Sequence, residues 1–85
     1  MKTLYILNNP QLFEQCTLAM GTQDALLLIE DAVVLSEQQS SDENHFVLEE
    51  DLIARGLNSG SSWNKKNYNE FVALTLEYNK SVSWL

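Results

Sequence analysis

Cys16 is the side chain in this sequence best suited to covalent chemistry, because a thiolate sulfur can attack, be oxidised or carry a second sulfur as a persulfide. The competing interpretation is a small buried hydrophobe, since Leu12, Cys16 and Ala19 recur at helical spacing on one apolar stripe. No Lys, Arg or His lies near Cys16 in the sequence to lower the pKa of its thiol. Activation would therefore require groups brought to it by the fold or by a partner.

The acidic pair Glu30-Asp31 and the single histidine, His45, are the candidates for proton transfer. Glu30-Asp31 follows an apolar segment, and the carboxyl end of a central strand is where ligands sit in open α/β sheets. The pair could act as acid, base or magnesium ligand, although capping a helix is the commoner role of such a residue. His45 could be a general base, but a histidine at the start of a strand without a matching nucleophile is more often a surface or interface residue.

Other motifs for catalysis or for a bound group are missing from the sequence. It has no Gly-rich phosphate loop, no GxSxG elbow and no metal-ligand spacing. One cysteine excludes an intramolecular disulfide, and one cysteine with one histidine cannot supply a tetrahedral zinc site. We expect no cofactor and no metal, a reducing compartment, and little activity as an independent enzyme.

The first part of the sequence predicts the elements that position Cys16 and the acidic pair. Residues 3–7 are β-branched, aromatic and aliphatic, and predict a strand. Asn9 is a good N-cap and Pro10 suits the first helical position, with Gly21 placed to end the helix in the left-handed conformation. Residues 25–29 show no polar alternation, which is typical of a strand covered on both faces of a parallel sheet.

The rest of the sequence predicts a continued alternation of helices and strands. The segments are a brief helix at 32–35 capped by Asp31, a polar loop at 37–44, a strand at 45–48, a short helix from Glu49 to a stop at Gly56, an amphipathic helix at 68–79 and an edge strand at 82–85. Residues 58–67 are predicted to be mostly irregular, with Trp63 exposed and with a weakly indicated strand as the alternative. The predicted fold class is α/β, a small three-layer sandwich with a mostly parallel sheet of four or five strands and helices on both faces.

Length, composition and charge limit the number of domains, the compartment and the partners expected for this protein. The 85 residues, 45% of them hydrophobic, predict a single domain over residues 1–85, and a core this small favours oligomerisation. No apolar run is long enough to cross a bilayer and no signal peptide is evident, so we expect a cytoplasmic protein without membrane contact. The formal net charge of −7 argues against direct binding of nucleic acid.

The acidic residues are unevenly distributed. Nine of the twelve lie between Asp24 and Asp51, a stretch with no Lys or Arg, whereas four of the five basic residues lie at Arg55 or later. This distribution predicts an acidic rim suited to a basic partner, although a merely solvated face would look the same. Trp63 and Trp84 are the expected anchors of an apolar interface.

Five segments together resemble the TusB/DsrH family of sulfur-relay subunits. They are Leu-Tyr-Ile-Leu-Asn-Asn-Pro at 4–10, Asp-Ala-Leu-Leu-Leu-Ile-Glu-Asp at 24–31, Asp-Leu-Ile-Ala-Arg-Gly-Leu at 51–57, Tyr-x-x-Phe-Val-x-Leu-Thr at 68–75 and the ending Ser-Trp-Leu at 83–85. The resemblance covers nearly the whole chain. One departure is Trp63-Asn-Lys-Lys-Asn-Tyr68, which stands where the family has an apolar strand.

The resemblance implies a small cytoplasmic α/β subunit that assembles with TusC/DsrF-like and TusD/DsrE-like proteins into a hetero-oligomer. In the Tus branch such a complex passes persulfide sulfur toward 2-thiolation of the transfer-RNA wobble uridine, and in the Dsr branch it serves sulfur oxidation. We expect this chain to be mainly structural within that complex. Cys16 stands where DsrH-type members carry a cysteine, so an active persulfide carrier on Cys16 is the alternative. A regulatory protein-binding domain that uses the acidic rim is a third hypothesis.

Overall fold

The computed structural model describes residues 2–38, 43–57 and 63–84, and its centre is one five-stranded sheet. The spatial order is β4-β3-β2-β1-β5, and every neighbouring pair is parallel. The strands are β1 (Thr3–Leu7), β2 (Ala25–Leu28), β3 (His45–Leu48), β4 (Asn64–Lys66) and β5 (Lys80–Trp84). The prediction of an α/β fold with a parallel sheet of four or five strands is confirmed.

Helices connect the strands, as parallel pairing requires. A 3₁₀ turn at Pro10–Leu12 leads into α1 (Phe13–Ala19), and a second 3₁₀ helix at Glu30–Val34 leads into α2 (Leu35–Gln38). The remaining helices are α3 (Glu49–Ala54) and α4 (Tyr68–Glu77). As predicted, Asn9 caps the first turn, with its Oδ1 accepting the Gln11 N–H at 3.0 Å.

Two apolar clusters lie on opposite faces of the sheet, so the molecule has three layers. One cluster joins Leu7, Leu26 and Val47 to side chains of α1, α3 and the 3₁₀ helix at 30–34. The other joins Leu4 and Leu27 to α4. All four residues of β2 are fully buried, because this strand has neighbours on both edges and helices on both faces.

Two predicted helix ends are wrong. Gly21 does not take the left-handed conformation; its N–H instead donates to Asp24 Oδ2 at 2.8 Å, and Gly56 is the glycine with positive φ among the described residues. Asp31 is not an N-cap, because the 3₁₀ helix already begins at Glu30 and its cap, Ile29, makes no side-chain cap bond.

The segment before α4 also differs from its prediction. Asn64–Lys66 forms β4, although the sequence there is polar, because it pairs with Phe46 to Leu48 of β3. Trp63 is 3% exposed and stacks on His45 with ring centroids 4.7 Å apart. The expectation of an exposed Trp63 acting as an interface anchor is therefore wrong. Residues 39–42 of the predicted loop and residues 58–62 lie outside the described ranges.

Candidate functional site at the carboxyl edge of the sheet

Cys16 lies in the core between α1 and the sheet, where its side chain is fully buried. The helix directs it inward because Leu12, Phe13 and Met20 on neighbouring turns also pack against that cluster. Burial raises the pKa of the Cys16 thiol from 9.0 to about 11, since a thiolate loses its hydration there. In this conformation Cys16 has the properties of a packed hydrophobe rather than of a nucleophile.

The acidic pair Glu30-Asp31 lies at the carboxyl edge of the sheet, as predicted, directly beyond β2 and Ile29. Arg55 reaches Asp31 from the end of α3, with its Nε and Nη2 donating to Asp31 Oδ1 at 3.2 and 3.0 Å. Asp51, four residues before Arg55 on α3, is farther from it, with 3.9 Å between Asp51 Oδ1 and Arg55 Nη1. With Asp31 80% exposed, solvent limits the ion pair to about 0.2–1 kcal/mol.

Glu30 has a backbone conformation that non-glycine residues seldom adopt, with φ at 49°. Its N–H donates to Asp51 Oδ2 at 2.6 Å, so the first turn of α3 holds the end of β2 in place. Sequence analysis did not predict this contact of Asp51 with the end of β2. We define the acidic rim as Glu30, Asp31, Asp51 and the bound Arg55. Its hydrogen bonds hold the segment after β2 against α3.

His45 does not join the acidic rim. It begins β3 and pairs with Leu26, near the start of β2, whereas Glu30 follows the end of β2. Strand direction therefore puts the histidine toward the amino edge and the carboxylates at the carboxyl edge. The structure brings Glu30-Asp31 together with Arg55 and Asp51, and separates that group from both His45 and the buried thiol.

A cleft of about 500 Å³ opens beside the acidic rim, between the turns that follow β1 and β2. Its lining consists of Asn8, Asn9, Pro10, Gln11, Glu30 and Asp31. The amides can exchange hydrogen bonds and the carboxylates can also transfer protons, but neither kind of group can carry sulfur as a persulfide, which requires a thiol. The cleft lacks the thiol that sulfur transfer on its own walls would need.

The described residues contain neither a metal-binding cluster nor a membrane-spanning helix. In the described ranges no group of three or more His, Cys, Asp or Glu side chains is arranged to hold a metal ion. Within those same residues, no helix combines the length and the apolar character needed to span a bilayer.

Comparison with known proteins identifies the family. A family model described as DsrH like protein matches residues 9–81, which is most of the chain. This chain belongs to the DsrH family. Among curated relatives, Protein TusB of Buchnera aphidicola subsp. Schizaphis graminum (strain Sg) is 37% identical over 68 residues, covering 76% of this chain and 72% of that protein. Both findings agree with the resemblance drawn from the sequence segments and point to a sulfur-relay subunit.

As a DsrH-family chain, the molecule has an acidic rim built from two of the segments that carry the resemblance. Glu30-Asp31 ends the segment at 24–31, while Asp51 and Arg55 belong to the segment at 51–57. The hydrogen bonds Arg55 to Asp31 and Glu30 to Asp51 join these segments in space. Side chains that are far apart in the sequence thus have a structural task in common, which is to fix the connection after β2 against α3.

Proposed function

We propose that this chain is a subunit of a cytoplasmic sulfur-relay complex that passes persulfide sulfur toward 2-thiolation of the transfer-RNA wobble uridine. Its role is mainly structural, as one domain that assembles with TusC/DsrF-like and TusD/DsrE-like subunits. Membership of the DsrH family and the likeness to a TusB protein support this proposal. The observation that best supports a structural role is the burial of the Cys16 thiol, because a buried thiol would leave the reactive sulfur to a partner subunit.

The carboxyl edge supports the same role. No thiol lines its cleft, and the carboxylates of Asp31 and Asp51 accept hydrogen bonds from Arg55 and from the Glu30 N–H. Surface carboxylates that are held in place by hydrogen bonds present a negative charge at a fixed position. Such a charge biases which partner binds and in which orientation. The acidic rim accordingly contributes to recognition within the assembly.

Co-expression with the TusC-like and TusD-like subunits of the same cell tests the proposal. We expect the three chains to elute together from a sizing column. Deletion of this chain should abolish 2-thiouridine in transfer RNA, measured by mass spectrometry of nucleosides. Both the wild-type chain and Cys16→Ala should restore it. A chain that stays monomeric beside those partners, or a deletion that leaves 2-thiouridine unchanged, would contradict the proposal.

An active persulfide carrier on Cys16 is the second candidate, favoured by the position of this cysteine in the DsrH family pattern. It requires Cys16 to become exposed, because a buried thiol with a raised pKa neither attacks nor accepts sulfur readily. Intact-mass measurement after incubation of the complex with a persulfide donor distinguishes the two roles. A one-sulfur adduct on this chain that Cys16→Ala removes identifies a carrier, and an unmodified chain identifies the structural role.

A regulatory domain that uses the acidic rim predicts a partner outside sulfur metabolism. An affinity pull-down from the native cell tests that third role. Recovery of sulfur-relay subunits with the wild-type chain would exclude it as the main function.

A further inference from the structure

The helix α4 has an apolar stripe that the sheet does not use. Tyr68, Val72 and Leu76 follow one another at intervals of four residues and are 60%, 52% and 82% exposed. The sheet is contacted instead by Phe71, Leu74 and Tyr78 of the same segment. A surface helix needs only one apolar side for its own packing, so this second stripe requires another explanation.

The strongly exposed apolar side chains are concentrated on α4. In the described parts of the chain, five large apolar side chains are strongly exposed, and the three on α4 are the only ones that share a helix. The other two, Leu18 of α1 and Ile53 of α3, are isolated on separate helices. Single exposed apolar residues are ordinary, whereas a contiguous row marks a contact surface.

The sheet beside α4 leaves room for a partner. In β5, Ser81 and Ser83 pair with Leu4 and Ile6, whose side chains face α4, so both serines point to the same face. Both serines are exposed, and β5 is an edge strand. We use the name α4 face for the exposed α4 stripe together with these two serines on the same side of the sheet as α4.

One ammonium group lies near each end of α4. Lys66 directly precedes the N-cap Asn67, and its Nζ lies 5.3 Å from the centroid of the Phe46 ring. Lys2 lies at the other end of the helix, with its Nζ 5.1 Å from the centroid of the Tyr78 ring. Both rings belong to the cluster beneath α4. Each end of the stripe therefore has one positioned cation, in a chain whose net charge is −7.

We propose that the α4 face docks a partner subunit through an apolar helix flanked by carboxylates, with those carboxylates facing Lys2 and Lys66. This inference rests on the proposed function, because it identifies where this chain meets the rest of the relay complex. The apolar stripe drives the contact, while the two cations select a partner of opposite charge.

The charge pattern opposes a second copy of this chain as the occupant. If two α4 helices paired in antiparallel fashion, Lys2 of one copy would face Lys66 of the other. If they paired in parallel, each lysine would face its own equivalent. Either arrangement brings cation to cation, and the net charge of −7 on each copy adds to the repulsion.

Leu76→Asp and Leu18→Asp make a matched test, because both leucines are more than four-fifths exposed but lie on different helices. In the complex co-expressed with TusC-like and TusD-like subunits, Leu76→Asp should weaken association about 30-fold or more. Leu18→Asp should change it less than about threefold. Circular dichroism and the melting temperature of each isolated variant verify folding, and Val72→Asp replaces Leu76→Asp if the latter does not fold.

Lys66→Glu and Lys65→Glu test the charge requirement, because adjacent residues of β4 point to opposite faces of the sheet. We expect Lys66→Glu to weaken the complex several-fold and Lys65→Glu to leave it nearly unchanged.

Four outcomes of these experiments are informative. Loss of assembly only in the α4 and Lys66 variants supports the proposal. A wild-type complex that tolerates Leu76→Asp overturns this inference and leaves the proposed function standing, whereas failure of the wild-type chain to assemble overturns the function itself. Self-association of the isolated chain that Leu76→Asp abolishes would show that the α4 face pairs with a second copy, which also overturns the inference.

Discussion

The carboxylate of Asp51 accepts the backbone N–H of Glu30 at 2.6 Å, although the two residues are 21 positions apart. This bond joins the end of β2 to the first turn of α3. Arg55, at the end of α3, binds Asp31, the residue after Glu30. Both contacts hold the same two elements, so the carboxyl edge of the sheet is fixed by polar contacts at the surface in addition to the apolar core.

Replacing Asp51 tests how much this junction contributes to stability. Asp51→Ala should lower the free energy of unfolding by about 1–3 kcal/mol, because a hydrogen bond to a charged group is lost. Urea denaturation of the isolated chain measures the change. Glu49→Ala is the control, since it removes a carboxylate from the same helical turn but not this bond. Equal losses in both variants would assign the effect to the charge at the helix start alone.

Glu30→Gly should raise stability, in contrast to most substitutions in a surface turn. The left-handed conformation at φ 49° costs a non-glycine residue about 1–2 kcal/mol, and glycine avoids that cost. The greater freedom of glycine in the unfolded chain offsets part of the gain, leaving a net of about 0.5–1 kcal/mol. Thermal melting measures it. Asp31→Gly, at the next position where φ is not positive, should instead destabilise the chain.

The thiol of Cys16 should react slowly in the native protein. With the pKa raised from 9.0 to about 11, the thiolate fraction at pH 8 falls about 100-fold relative to an unperturbed cysteine. Labelling with a thiol reagent should therefore be at least about 100-fold slower in buffer than in denaturant. Because the raised pKa means that the folded state disfavours ionisation, stability should also fall as pH rises from 9 toward 11. Cys16→Ala should lack that alkaline decline, and rapid native labelling would show that the thiol is accessible.

Protonation of Asp24 at low pH should lower the stability of the folded chain. Its carboxylate accepts hydrogen bonds from the Gly21 and Thr3 N–H groups, at 2.8 and 2.9 Å, and these bonds lower the pKa of Asp24 below its usual 3.8. The stabilisation is present above the unfolded pKa and is lost as pH falls through the lower folded value. Asp24→Asn should therefore melt below the wild type at pH 7, with the gap narrowing toward pH 2. A difference in melting temperature that does not change with pH would refute this prediction. Glu14→Gln is the control, because Glu14 is an exposed carboxylate on α1.

The strands of the centre could be read from sequence, because their burial on both faces requires continuous apolar runs. Ala25–Leu28 is such a run, and β3 (His45–Leu48) has one over its last three residues. The short helix α3 was also predictable from sequence. It has acidic residues in its first turn, and Gly56, with φ at 65°, follows its last turn. The burial of Cys16 followed from the spacing of its apolar neighbours.

The failures of sequence analysis concern contacts between distant segments. Asn64–Lys66 has no apolar residue, and only its pairing with β3 makes it a strand. Asp31 fits the local rule for a helix cap, but its carboxylate binds Arg55, 24 positions away. A pattern confined to a few neighbouring residues contains no information about either partner. The same limit explains why the bond from Glu30 to Asp51 could not be foreseen.

The pairing of β5 with β1 has a consequence for how the chain folds during synthesis. Thr3 to Leu7 align with Lys80 to Trp84, so all the elements between them must leave the ribosome before β1 gains its second neighbour. Until then β1 has an open, apolar edge that favours aggregation. All other strand pairs also close through crossovers, so no local hairpin can nucleate the sheet. Folding should therefore be slow and should be completed only after residue 84 has left the ribosome, and partners that are already folded at that point would protect the newly made chain.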